Sequence, residues 1–247
     1  MLLDVRDVSK SFGVTVVDAL SVSVEAGDAL GIVGPNGAGK TTLLNLIAGD
    51  LRPDSGRVVF DGVDITRRRA DQRCRAGIGR TSQIPRPFGG MTVFENVLTA
   101  AVYGSGRSPS SGEATDMAVD ALRRADLIDR ANAAAGSLPL LSRKRLELAR
   151  ALATQPRLLL LDEIAGGLTE GEVDELVDTI RAIHASGITL VWIEHIVHAL
   201  VAVVNRIMAM NYGAKIAEGD PHDVMNSAAV QEIYLGVALE AAAAEAP

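Results

Sequence analysis

The 247-residue chain has little cysteine, little lysine and no long apolar run. Cys74 is the only cysteine, so no intrachain disulfide can form, and a reducing compartment is the simplest expectation. The longest apolar stretch, residues 196–204, is interrupted by His198, whereas a helix needs about 20 apolar residues to cross a bilayer. The first residues show no basic region followed by an apolar run, which argues against a signal peptide. We therefore expect a chain that does not enter the membrane by itself.

An excess of positive charge is also absent. The net charge is −7, which argues against nucleic acid as the main partner because phosphate backbones favour clustered lysine and arginine. Apolar residues make up 48% of the chain, enough to form a buried core, and this excludes intrinsic disorder as the main state. At about 150 residues per domain, the length fits one large domain or two small ones.

Short apolar segments alternate with helical patterns along the chain. Residues 158–161 are four consecutive leucines, and residues 29–33 and 188–193 are almost entirely apolar, which is typical of strands buried on both faces. Strands that alternate with helices indicate an α/β fold with a mostly parallel sheet flanked by helices. Residues from about 92 to 155 show only helical periodicity, and we predict that they form a helical subdomain inserted into that core.

Local signals place the ends of several elements. The last helix of the helical subdomain is predicted over residues 142–154, because Pro156 stops it. Thr169 and Glu172 have the spacing of a capping box, which starts a helix that Gly187 ends. Residues 237–247 are rich in alanine and are expected to form a frayed tail, so the domain itself is predicted to span residues 1–236.

Residues 34–41 read GPNGAGKT and match the G-x-x-x-x-G-K-[ST] pattern of a P-loop. The motif follows a predicted strand and opens a predicted helix, as a P-loop must, and a lysine motif rarely arises by chance in a chain with four lysines. Backbone N–H groups would surround the phosphates of ATP, Lys40 would reach the β- and γ-phosphates, and the Thr41 hydroxyl would bind Mg²⁺. The residues predicted to bind nucleotide are Gly34, Pro35, Asn36, Gly37, Ala38, Gly39, Lys40, Thr41 and Thr42.

Two acidic residues follow the apolar run at residues 158–161. Asp162, at the carboxyl end of this predicted strand, is expected to hold Mg²⁺ through water, as in a Walker B strand. Glu163 is predicted to be the general base that activates the attacking water, although two acids can also simply cap a strand. His195 ends the next buried strand and is predicted to contact the γ-phosphate and that water.

With these motifs the chain resembles the ATP-binding-cassette (ABC) ATPases over residues 2–236. The resemblance implies a P-loop NTPase core with an N-terminal antiparallel β part and the inserted helical subdomain. It also implies that Phe12 stacks on adenine. Gln83 stands at the family's Q-loop, where it would contact Mg²⁺, take part in catalysis and sense the membrane partner. The alternative for Phe12 is an aromatic ring that packs into the core.

Three further segments are similar to the ATPases of branched-chain amino acid importers. They are residues 61–97, 213–224 and 230–236. ATPases that serve urea, amides or lipopolysaccharide share some of these features, so those substrates stay open. Within the first segment, residues 67–69 together with Arg73 and Arg75 are expected to form a solvated face. The alternative is a membrane-near or partner-docking role.

One loop departs from the family pattern. The family places Leu-Ser-Gly-Gly-Gln, its signature, just before the helix predicted over residues 142–154. This chain instead has Leu138, Pro139, Leu140, Leu141 and Ser142. In the family's sandwich dimer the signature donates N–H groups and a hydroxyl to the γ-phosphate held by the other subunit. Pro139 has neither donor, and leucine side chains obstruct the close approach that glycine permits. We therefore expect a degenerate signature loop.

The resemblance implies a cytoplasmic subunit that hydrolyses ATP with Mg²⁺. Two permease subunits would hold it at the inner face of the membrane, and a substrate-binding protein would take part indirectly. The degenerate loop favours a heterodimer with a second, intact cassette, since a homodimer would carry the defect in both sites. Two alternatives are a soluble ABC ATPase without a role in transport and a regulatory cassette that hydrolyses little ATP.

Overall fold

The computed structural model describes residues 1–233, and its two sheets with flanking helices confirm the predicted α/β fold. The alanine-rich tail predicted at residues 237–247 lies outside the described residues, as do the last residues of the segment 230–236. The strands are β1 (Leu3–Ser11), β2 (Thr15–Val24), β3 (Ala29–Val33), β4 (Ser55–Phe60), β5 (Val63–Asp64), β6 (Ile78–Arg80), β7 (Leu158–Asp162), β8 (Thr189–Ile193), β9 (Arg206–Asn211) and β10 (Ala214–Gly219).

The larger sheet has the strand order β10-β9-β3-β8-β7-β6. Strands β9, β3, β8, β7 and β6 are parallel, and β10 joins the edge in antiparallel orientation. Every residue of β3, β7 and β8 is buried, which explains why these strands are almost entirely apolar in the sequence. The smaller sheet, in the order β2-β1-β4-β5, is antiparallel, as expected for the N-terminal part.

Helices flank the larger sheet, and three of them, α3, α4 and α5, lie between β6 and β7 in the sequence. They are α1 (Lys40–Ala48), α2 (Ala70–Arg75), α3 (Val93–Gly104), α4 (Ser111–Arg124), α5 (Leu140–Ala153), α6 (Glu170–Ala185), α7 (Val197–Val201) and α8 (Pro221–Met225). Short 3₁₀ turns occur at Ile128–Arg130 and Ala135–Ser137, and residues 228–233 are helical. Between β6 and β7 the described chain contains helices and turns but no strand, in line with the helical pattern of residues 92–155.

The predicted start of α5 is wrong by two residues. The helix begins at Leu140, and Pro139 is its N-cap residue with φ −65° and ψ 166°. A proline fixes φ near this value and lacks the N–H that a helix start leaves unpaired, so it fits this position without strain. Leu140, Leu141 and Ser142 therefore form the first turn of α5 instead of a loop before it.

The interpretation of Arg73 as part of a solvated face is also wrong. Its side chain is fully buried and donates hydrogen bonds to the carbonyl oxygens of Leu46, Ile47, Thr66 and Arg68. The guanidinium group has five N–H donors, and main-chain carbonyl oxygens accept hydrogen bonds from them here, so the buried side chain is stable at the end of α1. Arg67, Arg68 and Arg69 are exposed, as expected.

Two hydrophobic clusters lie on the two faces of the larger sheet. One joins the helical block, defined here as residues 93–153 with helices α3, α4 and α5, to β7 and β8. It includes Trp192, the single tryptophan of the chain, which is fully buried. The other packs α1 between the two sheets. Among residues 1–233, no helix has both the length and the apolar character that crossing a bilayer requires.

Candidate functional site

The P-loop connects the fully buried strand β3 to helix α1. The backbone conformation of this turn requires glycine, because Gly34, Gly37 and Gly39 have φ values of 150°, 83° and 95°. A Cβ on Gly34 would lie 2.2 Å from the Met210 carbonyl oxygen, and one on Gly39 would lie 2.4 Å from that of Val16. The loop is therefore packed against β9 and β2, which fixes the direction of its N–H groups.

A cavity of about 170 Å³ opens over this turn. It is lined by Val16, Asn36, Gly37, Ala38, Gly39, Lys40, Thr41, Thr42 and Glu163. It thus combines the amides at the start of α1 with the carboxylate of Glu163. A helix N-terminus with free N–H groups attracts anions, so the P-loop side of the cavity suits phosphate groups.

Lys40 is 5% exposed and folds back over the P-loop. Its Nζ donates hydrogen bonds to the carbonyl oxygens of Gly34, at 2.7 Å, and Pro35, at 3.0 Å. Burial lowers the pKa of Lys40, while the nearby carboxylates of Glu163 and Asp162 raise it. The ammonium group is held at the cavity wall, where an added anionic group would favour its charged form.

Asp162 ends β7 and is 2% exposed. Its Oδ2 accepts a hydrogen bond from Arg80 Nη2 at 2.9 Å, while its buried Oδ1 has no hydrogen-bond partner within residues 1–233. Burial raises the pKa of this carboxyl group, and the Arg80 guanidinium opposes the shift. A buried oxygen without a hydrogen-bond partner is stabilised by a polar ligand, and Mg²⁺ is bound by carboxylate oxygens. The residues present therefore fit a Mg²⁺ ion next to Thr41.

Glu163 contacts two other predicted site residues. Its Oε1 lies 2.8 Å from His195 Nε2, and its Oε2 accepts a hydrogen bond from Gln83 Nε2 at 2.5 Å. The Glu163 backbone has φ 46°, a left-handed conformation that is rare outside glycine, and its N–H donates to the Ile193 carbonyl oxygen. The turn after β7 thus directs the carboxylate toward β8 and the P-loop cavity.

Two buried residues that the sequence reasoning missed support this arrangement. Glu194 is 2% exposed and accepts hydrogen bonds from the N–H groups of Ala165 and His195. Burial raises the pKa of Glu194 and these backbone N–H groups lower it. Lys144 of α5 is 3% exposed and donates to the Gln83 carbonyl oxygen at 2.8 Å. Neither residue belongs to a short motif, so only their adjacency to predicted residues could have drawn attention to them.

Side chains of helix α5 bind the main chain of the Q-loop, which is defined here as residues 82–86. Lys144 binds the Gln83 carbonyl oxygen, Glu147 accepts a hydrogen bond from the Arg86 N–H at 3.1 Å, and Arg150 donates to the Arg86 carbonyl oxygen at 3.1 Å. These three α5 residues are spaced three apart, so they lie along one side of the helix. The Q-loop is thus attached to α5 at both of its ends.

Phe12 lies in the turn between β1 and β2 and is 56% exposed. This exposure contradicts the alternative in which the ring packs into the core. Lys10 Nζ lies 5.5 Å from the centre of the ring. Phe12 does not line the P-loop cavity, whereas Val16 of the adjoining strand does.

The signature loop is separate from the P-loop cavity of the same chain. Leu138, Leu141 and Ser142 are buried, while the Leu140 side chain is 40% exposed. No side chain caps the N-terminus of α5, and the first N–H to bond within the helix is that of Arg143, to the Pro139 carbonyl oxygen. The first turn of α5 therefore keeps backbone donors even though Pro139 contributes none.

Comparisons with known proteins agree with this geometry. The family model described as ABC transporter matches residues 17–166, and the model described as Branched-chain amino acid ATP-binding cassette transporter matches residues 214–240. The chain belongs to the ABC transporter family. It is an ATPase cassette of that family, which hydrolyses ATP, and the ATP-binding subunit of a transporter.

Two curated relatives resemble the chain over nearly its whole length. The high-affinity branched-chain amino acid transport ATP-binding protein BraF of Pseudomonas aeruginosa is 34% identical over 251 residues, covering 96% of this chain and 98% of the relative. The corresponding Escherichia coli protein, LivG, is 34% identical over 253 residues, with the same coverage. The predicted resemblance to the ATPases of the branched-chain amino acid group is thus confirmed.

Solved structures show the same fold. The ADP conformation of MJ1267, an ATP-binding cassette of an ABC transporter, superposes with a TM-score of 0.87 at 33% identity, covering 95% of this chain and 98% of that one. A dimeric post-hydrolysis structure of the cassette MJ0796 bound to ADP and Pi has a TM-score of 0.80 at 23% identity, covering 89% and 99%. The second match supports the fold alone.

Proposed function

We propose that the chain drives import of branched-chain amino acids by hydrolysing ATP as one of two cassettes bound to membrane subunits. The observation that carries this proposal is the position of the Glu163 carboxylate. It lines the P-loop cavity while it contacts both His195 and Gln83. The curated relatives named as branched-chain amino acid transport proteins support the choice of substrate.

In this proposal the P-loop binds the phosphates of ATP. The amides at the start of α1 surround the β- and γ-phosphates, Lys40 adds its positive charge, and the exposed Phe12 ring stacks on adenine. Thr41, Gln83 and Asp162 would hold Mg²⁺, with Asp162 acting through water. When bound, the ion neutralises charge that develops on the phosphate oxygens.

Glu163 is the proposed general base. It takes a proton from the attacking water, whose oxygen bonds to the γ-phosphorus while the bond between that phosphorus and the bridging oxygen of ADP breaks. With ATP bound, the His195 imidazole would donate to a γ-phosphate oxygen and hold the attacking water. The products are ADP, inorganic phosphate and a proton, so the step needs no further reactant.

The signature loop bears on the assembly. A partner cassette would bring its own signature to the P-loop of this chain, and this chain would offer the first turn of α5 in return. Pro139 lacks the N–H and the hydroxyl that the serine of an intact signature would donate. We therefore favour a heterodimer with a cassette whose signature is intact. MJ0796, a cassette of the same fold, is dimeric with ADP and Pi bound.

Two permease subunits would anchor the pair at the cytoplasmic face of the membrane, and a substrate-binding protein would deliver the amino acid to them. The Q-loop borders an open depression of about 620 Å³ that also includes residues from α1 and α2. This depression, the Q-loop groove, is a suitable seat for a permease segment because Gln83 connects it to Glu163.

A regulatory cassette with little hydrolysis remains the second candidate, and the sequence of the signature loop favours it. The deciding experiment is ATPase activity of the chain assembled in vesicles with its permease subunits and second cassette. If the chain drives transport, ATP turnover should rise several-fold when leucine-loaded binding protein is present. A complex that carries Glu163→Gln is the control. Leucine uptake without any effect of Glu163→Gln would assign hydrolysis to the partner alone. No response to branched-chain amino acids would refute the proposed substrate.

A further inference from the structure

Four arginines surround an open depression of about 820 Å³ between the turn after α1 and the segment after β5. They are Arg52, Arg57, Arg67 and Arg68, all of them exposed. We call this surface the arginine patch. In a chain with a net charge of −7, it is a local concentration of the opposite sign.

Asp54 and Asp64, which also line the depression, offset only part of the positive charge of the patch. Within residues 1–233, none of the four arginines forms an ion pair, whereas Arg69 and Arg157 pair with Asp71 and Asp61. The two acids at the depression have other partners. Asp54 binds Lys10 and the Ser11 N–H, and Asp64 accepts a hydrogen bond from the Thr66 N–H.

The main chain around Arg67 and Arg68 is also held in place by a buried side chain. Buried Arg73 binds the carbonyl oxygens of Thr66 and Arg68, on either side of Arg67, and those of Leu46 and Ile47 at the end of α1. The segment that carries Arg67 and Arg68 is thereby fastened to the core. Less conformational entropy is lost when a ligand binds to a surface that is already ordered.

Helix α2 separates the arginine patch from the Q-loop groove. Gln72 lines the patch, while Ala70 and Cys74 of the same short helix line the groove. A permease seated in the groove would therefore bring the patch beside the membrane. In this respect the inference rests on the proposed function.

We propose that the arginine patch binds the phosphate groups of anionic phospholipids at the membrane surface. Guanidinium groups form paired hydrogen bonds with phosphate oxygens, and four of them on one surface can engage several headgroups at once. An acidic protein segment fits less well, because protein interfaces depend on buried apolar anchors and Pro53 is the only apolar residue larger than alanine in the lining.

The test uses the full chain and sedimentation with vesicles. Vesicles containing phosphatidylglycerol should bind the chain, more weakly as salt rises, and pure phosphatidylcholine vesicles should not. The double variant Arg67→Gln/Arg68→Gln should lower the affinity by about tenfold or more. Arg123→Gln/Arg130→Gln removes two exposed arginines from the helical block and is the matched control, expected to stay within about twofold.

Several results would overturn the proposal. Equal losses in the two double variants would mean that net charge alone determines binding, and equal binding to both vesicle types would mean that phosphate is not recognised. Calorimetric binding of pyrophosphate through the patch without vesicle binding would identify a free-phosphate site. Binding of polyglutamate alone would identify an acidic-peptide site. ATP affinity should be unchanged in both variants, so a failure here leaves the proposed ATPase role untouched.

Discussion

His195 Nε2 lies 2.8 Å from Glu163 Oε1 because the two residues follow neighbouring parallel strands. Asp162 and Ile193 are paired at the ends of β7 and β8, so the residues that come next leave the sheet at the same edge. The P-loop follows β3, the neighbour of β8, at that edge too. Ligand sites of open α/β sheets lie at the carboxyl ends of the strands, where these residues converge.

Glu163→Gln should keep ATP binding and slow hydrolysis by at least about 10²-fold, because a general base contributes that much or more. Gln keeps the hydrogen-bonding shape but cannot accept the proton. Steady-state phosphate release by the assembled complex measures the effect, with Glu172→Gln at the exposed capping box of α6 as the control. Turnover close to that of the unmodified complex would exclude Glu163 as the base.

Conversion of Pro139-Leu140-Leu141 to Ser-Gly-Gly should add turnover at the partner's ATP site. The change restores an N–H and a hydroxyl at the start of α5, and hydrogen bonds to charged groups contribute about 1.5–3 kcal/mol each. The measurement uses a complex whose other site is silenced by Glu163→Gln, so that only the site facing this loop is recorded. Activity that stays at background with intact partner motifs would show that the loop does not limit that site.

Arg73→Met should destabilise the fold by about 2–4 kcal/mol, because four carbonyl oxygens, two of them in buried hydrogen bonds, lose their donor. Urea unfolding measures this change. Arg157→Met is the control, since its ion pair with Asp61 is exposed and should contribute less than about 1 kcal/mol. Equal effects of the two substitutions would mean that the buried hydrogen bonds of Arg73 are not what stabilises this region.

Glu113→Gln should reduce stability in a pH-dependent way. The Ser110 N–H, followed by Arg107, lowers the pKa of Glu113 from 4.5 to about 2. A carboxyl group whose pKa is lowered by folding stabilises the fold at pH values above its pKa in the unfolded chain. This contribution is lost as the pH falls through its pKa in the folded protein. The urea midpoints of the two proteins should therefore differ most above pH 4.5 and converge toward pH 2. A difference independent of pH would exclude the charge as its cause.

The sequence allowed prediction of the site wherever a motif is contiguous. The P-loop, Asp162 and Glu163 are read from short patterns because a strand, a turn and a helix start place them together. The buried parallel strands were equally clear, since both of their faces are covered and their residues are almost all apolar. Which roles these residues play stays a prediction.

Contacts between distant segments could not be read in the same way. Arg73 stands in a basic run that is typical of solvated surface, and its burial depends on carbonyl oxygens from α1, far away in sequence. Lys144 and Glu194 are likewise buried against residues from other elements. The first turn of α5 was missed because residues 138–142 were assigned to the family's signature loop, which precedes the helix, whereas proline is well tolerated at a helix start.

The attachment of the Q-loop to α5 has a mechanical consequence. The helix has 14 residues, a rod of about 21 Å, and Lys144, Glu147 and Arg150 fix the loop along one side of it. The loop cannot shift along α5 without breaking these hydrogen bonds, so a change in the tilt of α5 would move Gln83 with it. The distance between Gln83 Nε2 and Glu163 Oε2 should therefore change with the tilt of the helical block.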